Sequence, residues 1–249
     1  MENTNTSWEN VSLWYEDITT GGGHYYHRHV IMPGIQKLFH FSPGDTLLDL
    51  GCGAGVMSHH IPKKLPYVGI DASENLITLA QKSDKNPNHT YIHADVTKTL
   101  PVSHNFSHAI FILSLQNMKE QDRAVRIAGE CLKHGGHLLI ILNHPCFRIP
   151  RQTSWEIDRE NKIQYRRINR YLSPLSIPIS MHPGKDETKT WSYHYPLSSY
   201  TKFLNDAGIG IDTMEEWVSD KVSVGTAAAM ENRAREEFPL FLAIHGKKL

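Results

Sequence analysis

Short apolar runs alternate with amphipathic runs along the chain, a pattern typical of an α/β fold with a parallel sheet. The apolar runs are nearly continuous, as expected of strands that are buried on both faces. Seven such runs occur, and the last two follow a long interruption. The predicted strands are Thr46–Leu50, Tyr67–Ile70, Thr90–His93, Ala109–Leu113, His137–Leu142, Ile209–Trp217 and Leu240–His245.

Two of the intervening segments carry apolar residues at the i, i+3, i+4, i+7 spacing of a helix. The first covers residues 124–131, with Asp122 placed to cap its start and Gly135–Gly136 placed to end it. The second covers residues 200–207 and is followed by Gly208, which we predict as the C′ residue. Both helices support a sheet whose strands are joined by helical crossovers.

The interruption runs from about residue 146 to residue 196, is rich in prolines and aromatic residues, and shows no clear periodicity. A stretch of this length without regular structure is usually a lid or a binding element. We predict an N-terminal helical segment over the site (residues 1–40), a core (residues 41–145 and 197–249) and an inserted substrate cap (residues 146–196).

Composition narrows the class of protein. The 249 residues carry 26 basic and 26 acidic side chains, so there is no global field to attract nucleic acid or an anionic membrane. No apolar run approaches the ~18 residues that a membrane-spanning helix needs, and the polar start lacks the features of a secretory signal. Three widely spaced cysteines do not suggest a disulfide framework. We therefore expect a cytoplasmic protein.

A glycine-rich turn follows the first predicted strand. That strand ends around Asp49, and glycines follow at positions 51, 53 and 55, with a helix expected just beyond. Glycines here allow a tight turn and a close approach of the backbone to a ligand. The spacing is not the dinucleotide pattern G-x-G-x-x-G, since position 56 is valine. Taken alone, the turn is also compatible with a plain strand–helix connection.

Two further acids follow the next two strands. Asp71 ends the second strand, about twenty residues past Gly51, where a carboxylate can accept hydrogen bonds from both hydroxyls of a ribose. Asp95 comes just after the third strand, where it could accept from an adenine amino group while Val96 packs on the ring. Either acid alone could instead cap a helix. Together with the glycine turn, in this order, they favour a nucleoside-binding site.

With these motifs the sequence resembles the class I S-adenosylmethionine-dependent methyltransferases. The matching segments are Leu48–Gly55, Gly69–Asp71, Ala94–Val96 and Leu132–Ile140, with His134 where the family usually has proline. The resemblance implies a Rossmann-like seven-stranded sheet of order 3-2-1-4-5-7-6, with strand seven antiparallel, and S-adenosylmethionine as cofactor. The cofactor-binding residues it implies, together with candidate shielding tyrosines, are Asp49, Gly51, Cys52, Gly53, Gly55, Asp71, Ala72, Asp95, Val96, Tyr15 and Tyr26.

The outer segments are similar to those of small bacterial methyltransferases of the ubiquinone-biosynthesis-like group, which act on small molecules. These segments are Gly23–His27, Asn143–Pro150, Ser154–Trp155 and Tyr193–Ser198. The similarity does not identify a substrate.

Candidate acceptor-facing residues lie at the end of the fourth strand, because open α/β sheets bind ligands beyond the carboxyl ends of their strands. Gln116 and Asn117 could orient a hydroxyl or carbonyl there. The segment lacks the Asn/Asp-Pro-Pro-Tyr/Phe sequence of enzymes that methylate base amines. His144 and His194 are the candidate bases, which are needed only if the acceptor loses a proton.

Two other features are predicted to be structural. Pro145–Cys146 lacks the partner motifs that a nucleophilic cysteine would need. The histidine cluster of residues 24–29 contains no H-E-x-x-H arrangement, so we predict no metal there.

Three functions remain open. The first is methylation of a small-molecule acceptor, favoured because the aromatic insertion suggests an enclosed apolar pocket. The second is methylation of RNA or tRNA, suggested by basic and aromatic residues that alternate over Gln164–Tyr171. Residues 148–170 hold seven basic and three acidic residues, a modest patch that a solvated face also explains. The third is a regulator that binds S-adenosylmethionine without catalysis. We expect neither a nucleic-acid partner nor membrane insertion.

Overall fold

The computed structural model describes residues 8–9, 23–180 and 189–249, and a seven-stranded sheet forms its centre. All seven predicted strands are confirmed, with ends that differ by up to five residues. Their bounds are β1 Leu47–Leu50, β2 Tyr67–Asp71, β3 His89–His93, β4 Phe106–Ile112, β5 Leu132–Asn143, β10 Ile209–Trp217 and β11 Phe241–Lys248.

The strand order is β10-β11-β5-β4-β1-β2-β3, which confirms the predicted order 3-2-1-4-5-7-6. Strand β1 lies between β2 and β4, and Asp49 pairs with Gly69 on one side and Ile110 on the other. Strands β1 to β5 are parallel, whereas β11 is antiparallel to β5 and to β10. The carboxyl ends of β1 to β5 therefore meet at one edge of the sheet, where ligands of open α/β sheets bind.

Five α-helices occur in the part of the chain that the structure describes. They are α1 Met32–Leu38, α2 Glu74–Ser83, α3 Gln121–Cys131, α4 Leu197–Asp206 and α5 Ala228–Glu237. Helices α3 and α4 pack on one face of the sheet, and α1 and α2 contribute buried residues to the cluster on the other face. A π-helical turn, His27–Ile31, leads into α1.

The predicted helix termini are only partly right. Gly208 follows α4 with φ +69°, as predicted for a C′ glycine. Asp122 does not cap α3, because the N-cap is Glu120 and Asp122 lies inside the first turn. Gly135–Gly136 do not end α3 either, since β5 already begins at Leu132. The helix expected after the glycine turn is a short 3-10 helix, Val56–His60.

The inserted segment forms two β-hairpins, which its irregular pattern did not predict. The first pairs β6 Thr153–Asp158 with β7 Ile163–Ile168, and the second pairs β8 Leu175–Ser180 with β9 Lys189–His194. Each hairpin is a separate two-stranded sheet with no ladder to the central sheet. The boundaries proposed for the cap and for the N-terminal segment stay predictions.

Among the described helices, none is both long and apolar enough to cross a lipid bilayer.

Candidate functional site

A cavity of about 620 Å³ opens at the carboxyl ends of β1 to β5, within the range of small-molecule sites. Its lining comes from the strand ends and the residues that follow them, from residues near the N-terminus and from the second hairpin. The lining includes Trp8, His24, His27, Gly51, Gly53, Asp71, Ala72, Asp95, Val96, Leu113, Ser114, Gln116, Asn117, Asn143, Pro150, Ile179, Thr190 and Ser192.

The glycine turn after β1 contributes its first two glycines to this lining. Gly51, Gly53 and Gly55 all have positive φ angles, of +75°, +55° and +80°, which glycine adopts without strain. A Cβ atom on Gly51 would lie 2.5 Å from the Cβ of Ser114. The turn is therefore closely packed against the end of β4. The predicted residues Cys52 and Gly55 belong to the turn but are not among the residues that line the cavity.

Asp71 joins the end of β2 to the glycine turn. Its Oδ2 accepts the backbone N–H of Gly53 at 2.9 Å, and its Oδ1 accepts the backbone N–H of Ser73 at 2.9 Å. Burial raises the pKa of Asp71, and the two backbone donors act in the opposite direction. Each carboxylate oxygen retains a lone pair for a further donor. A ribose with two adjacent hydroxyls suits this acceptor pair.

Asp95 and Val96 lie beyond β3 at the neighbouring part of the cavity. Asp95 Oδ1 accepts the backbone N–H and the hydroxyl of Thr97, at 2.9 and 2.7 Å. Asp95 Oδ2 lies 3.9 Å from the Lys98 ammonium. Val96 is 4% exposed and offers an apolar surface beside this carboxylate. An acceptor oxygen next to an apolar wall suits a planar ring that carries an amino group.

Asp49 does not line the cavity, although it was predicted among the cofactor residues. Its side chain is 2% exposed, and Oδ2 accepts the Tyr67 hydroxyl at 2.8 Å. Oδ1 has no hydrogen-bond partner within the described part of the chain. Burial raises the pKa of Asp49 to about 7, and the nearby charge of Asp71 adds to this, against the hydrogen bond from Tyr67. Asp49 thus supports the turn from beneath.

Gln116 and Asn117 lie in a short 3-10 turn after β4 and line the cavity, where they were expected. Gln116 Oε1 accepts the backbone N–H of Asn143 at 2.8 Å, and Asn117 Nδ2 donates to the carbonyl of Leu113 at 3.1 Å. Leu113 itself has φ +54°, a strained conformation for a branched residue. No sequence signal marked Leu113.

His144 and His194, the two predicted bases, are not among the residues that line the cavity. His144 is 2% exposed; its Nε2 lies 2.6 Å from Glu216 Oε1, and its Nδ1 accepts the backbone N–H of Cys146. His194 Nε2 donates to the carbonyl of Tyr171 at 2.6 Å. Burial lowers the pKa of both imidazoles. Any role of either histidine toward an acceptor stays a prediction.

The N-terminal aromatic residues are arranged differently from the prediction. Tyr15 lies outside the described residues. The ring of Tyr26 packs edge-on against Phe241, and its hydroxyl lies 3.3 Å from that of Ser219, so it does not line the cavity. His27 does line the cavity, is 4% exposed, and its Nδ1 has no hydrogen-bond partner within the described chain. Desolvation lowers the pKa of His27 to about 3.

The second hairpin supplies the wall that the sequence left unassigned. Thr190 and Ser192, on β9, are 1% and 7% exposed and line the cavity together with Ile179 of β8. Thr190 and Ser192 are two residues apart, so the alternation of a strand places both on the same face. This spacing was present in the sequence, but the surrounding prolines and aromatic residues obscured it.

The sheet order and the cavity at its strand ends define the class I methyltransferase fold. Residues 47–136 match the family model described as a methyltransferase domain. The matched segment covers 90 of the 249 residues and includes the glycine turn, Asp71 and Asp95.

Solved structures support the same fold. The chain is similar to a putative S-adenosylmethionine-dependent methyltransferase from Listeria monocytogenes, with 24% identity and TM-score 0.67 over 87% of this chain and 97% of that one. An S-adenosylmethionine-dependent methyltransferase from Mesorhizobium loti matches with 24% identity and TM-score 0.66, over 86% of this chain and 96% of that one.

A curated protein is similar to the chain in sequence. It is a 2-phytyl-1,4-naphtoquinone methyltransferase from Nostoc sp., 26% identical over 171 residues. The alignment covers 65% of this chain and 66% of the relative, slightly less than two thirds of its length.

Proposed function

We propose that the protein transfers a methyl group from S-adenosylmethionine to a small-molecule acceptor. The observation that carries the proposal is the order in which backbone and polar side chains follow one another along the strand ends at the cavity. The glycine turn, Asp71, Asp95 and Gln116 follow β1, β2, β3 and β4 in turn, and all line one cavity. The glycine turn lets a ligand approach the backbone, and the Asp71 carboxylate can accept hydrogen bonds from two adjacent hydroxyls. Asp95 offers a hydrogen-bond acceptor beside an apolar wall, and Gln116 offers a neutral amide.

The cofactor half of the site is assigned by chemistry. Asp71 is proposed to accept both ribose hydroxyls, because its carboxylate is already oriented by two backbone donors. Asp95 and Val96 are proposed to hold the adenine ring, through its amino group and its face. Gly51 and Gly53 allow the remainder of the cofactor to approach the backbone.

Methyl transfer requires mainly that the protein align the two reactants and exclude water from them. S-adenosylmethionine supplies a methyl carbon bound to a sulfonium; the acceptor forms the new bond to carbon, and the electrons of the broken bond stay on sulfur. Holding the two reactants in line contributes up to ~7–11 kcal/mol. Asn117 and Ser192 are proposed to orient the acceptor, and its proton leaves to solvent or to a basic group of the site.

A small neutral acceptor fits the opposite half of the site. The lining there combines amides and hydroxyls, of Gln116, Asn117, Thr190 and Ser192, with apolar groups such as Ile179. The naphtoquinone methyltransferase relative supports an acceptor that is not a macromolecule, although its substrate belongs to that protein. Phenols, quinols and small amines are the acceptor classes to screen.

The decisive experiment is calorimetric binding of S-adenosylhomocysteine to the wild type, Asp71→Asn and Asp206→Asn. Asp206 is a surface residue paired with Lys202 and serves as the matched control. The Asp71→Asn variant loses charge-assisted hydrogen bonds worth ~1.5–3 kcal/mol, so we expect roughly 10- to 150-fold weaker binding. Unchanged affinity in Asp71→Asn, or equal binding of NAD, would refute the assignment.

An RNA acceptor is the alternative, and the hairpin β6–β7 is the relevant surface. Arg166 lies 5.0 Å above the Trp155 ring, as in nucleic-acid stacking sites, but its guanidinium already donates to the carbonyl of Phe147 and to Thr153. Arg167 lies 3.7 Å from Glu156. These internal contacts favour a structural role. Salt-sensitive tRNA binding, weakened by Arg170→Ala, would favour RNA instead.

A non-catalytic regulator would bind the cofactor equally well. Formation of S-adenosylhomocysteine in the presence of any acceptor excludes it. Tight binding without turnover across the acceptor panel would support it.

A further inference from the structure

A row of imidazoles crosses the sheet at the end opposite the cavity. His108 on β4 pairs directly with His137 on β5, and His245 on β11 lies diagonally across from His137 on the same face. The rings of His108 and His137 stack at 5.4 Å, and those of His137 and His245 at 5.1 Å. No sequence motif marks the row, because each residue comes from a different strand.

A carboxylate completes the outer end of this row. His137 Nδ1 and His245 Nε2 lie 3.1 Å apart, and one carboxylate oxygen of Asp212 lies within 4.8 Å of the ligand nitrogens. Asp212 is the residue at which the pairing of β10 with β11 shifts register, between Ile211 and Thr213. An irregularity of this kind re-aims a side chain. Here the re-aimed side chain is the one that joins the histidines.

We propose that His137, His245 and Asp212 form a binding site for a divalent transition metal such as Zn²⁺. Imidazole nitrogens and a carboxylate oxygen are accepted zinc ligands, and a water would fill the fourth position. In a tetrahedron with metal–nitrogen bonds of 2.0–2.1 Å, the nitrogens lie about 3.3 Å apart. The 3.1 Å found here needs only a small adjustment. Coordination requires both rings in tautomers that carry the proton on the other nitrogen.

Metal binding requires that each ligating imidazole nitrogen carries a lone pair and not a proton. His108 is not part of the group whose ligand atoms lie within 4.8 Å of one another, and its Nδ1 lies 2.9 Å from the Ser107 hydroxyl. The rings of Phe39 and Phe41 pack edge-on against His108 at 5.0 and 4.9 Å and close the inner end of the row.

The site is separate from the proposed reaction. Asn143 at the cavity lies six positions after His137 on β5, which corresponds to about 20 Å along a strand. Its ligands come from β5, β11 and β10, and β10 is the edge strand of the sheet. A bound metal would therefore fasten the edge strand to its neighbours, and the inference does not depend on the proposed function.

The test is calorimetric titration of chelator-treated full-length protein with Zn²⁺, for the wild type and three variants. We expect one tight zinc per chain, at least 100-fold weaker binding in His245→Gln, and at least tenfold weaker binding in Asp212→Asn. Asp212 is exposed, so its variant tests the site even if His245→Gln fails to fold. His104→Ala removes an exposed histidine elsewhere and should bind zinc unchanged.

The protein contains sixteen histidines, so location matters as much as affinity. Anomalous diffraction at the zinc edge should place the ion between His137, His245 and Asp212. Three results would each overturn the proposal. They are zinc found only at another histidine cluster, equal zinc affinity in the wild type and Asp212→Asn, and no zinc binding at 100-fold molar excess.

Discussion

Replacing Gly51 with alanine tests how closely the turn after β1 packs against β4. The positive φ of +75° costs an alanine ~1–2 kcal/mol. The new Cβ would also lie 2.5 Å from the Cβ of Ser114. Rotation of the Ser114 side chain cannot relieve this contact, because Cβ lies on the rotation axis, and its hydroxyl is also held by donation to the Leu50 carbonyl at 2.7 Å. Overpacking of this kind adds ~1–3 kcal/mol, so the expected total is ~2–5 kcal/mol.

Gly44→Ala is the matched control for this substitution. Gly44 also has a positive φ, of +90°, but a Cβ there would have no neighbour within 4 Å. Its cost is therefore the backbone term alone. At ~2–4 °C per kcal/mol for a chain of this size, Gly51→Ala should melt about 2–12 °C below Gly44→Ala. Scanning calorimetry measures both. Equal melting temperatures would show that the turn and Ser114 are not in close contact.

Three further substitutions test the charges and the acceptor wall. Asp49→Asn should remove a loss of folding stability with rising pH, because a carboxyl whose pKa is raised from ~3.9 to about 7 costs the folded state up to about 4 kcal/mol as pH rises from 4 to 7. His27→Phe should remove a contribution of the opposite sign, a loss of stability as pH falls below 6.5. Because the pKa of His27 is lowered to about 3, the free energy of unfolding of the wild type falls by ~2–3 kcal/mol between pH 7 and 4.5. Phenylalanine does not titrate, so the variant lacks this loss. Ser192→Leu fills the cavity and should abolish methyl transfer while S-adenosylhomocysteine affinity changes less than about threefold, since the proposed cofactor contacts lie on other strands.

The controls follow from the same structure. Urea unfolding at several pH values measures the first two variants, and a slope unchanged from wild type would contradict the assigned pKa shift. Ser176→Leu lies on the same hairpin at an exposed position and should leave turnover intact. Full activity in Ser192→Leu would place the acceptor elsewhere.

The sheet and part of the cavity lining at its strand ends could be predicted because their signals are local. A strand buried on both faces is a short apolar run, and the group that follows it lies at the sheet edge whatever the rest of the chain does. Asp71 and Asp95 were found in this way. The same logic placed Gln116 at the cavity.

The remaining errors concern side-chain directions and tertiary contacts. Asp122 is of a residue type that often caps helices. The N-cap of α3 is Glu120, however, so the helix begins too early for Asp122 to cap it. His144 follows β5 as a base should, yet its ring turns to Glu216. The direction of the His144 ring depends on Glu216, which is 72 residues away in the sequence. No periodicity along the chain contains that information.

The two hairpins of the inserted segment hydrogen-bond as separate two-stranded sheets, apart from the central ladder. Changes of length or sequence there break no strand pairing of the seven-stranded sheet. The elements that carry the glycine turn, Asp71 and Asp95 belong to that sheet instead. The hairpins can thus vary in the side chains that they present to the cavity while the strand ends stay fixed. On the proposed function, related chains with this layout can acquire new acceptors without rebuilding the cofactor site.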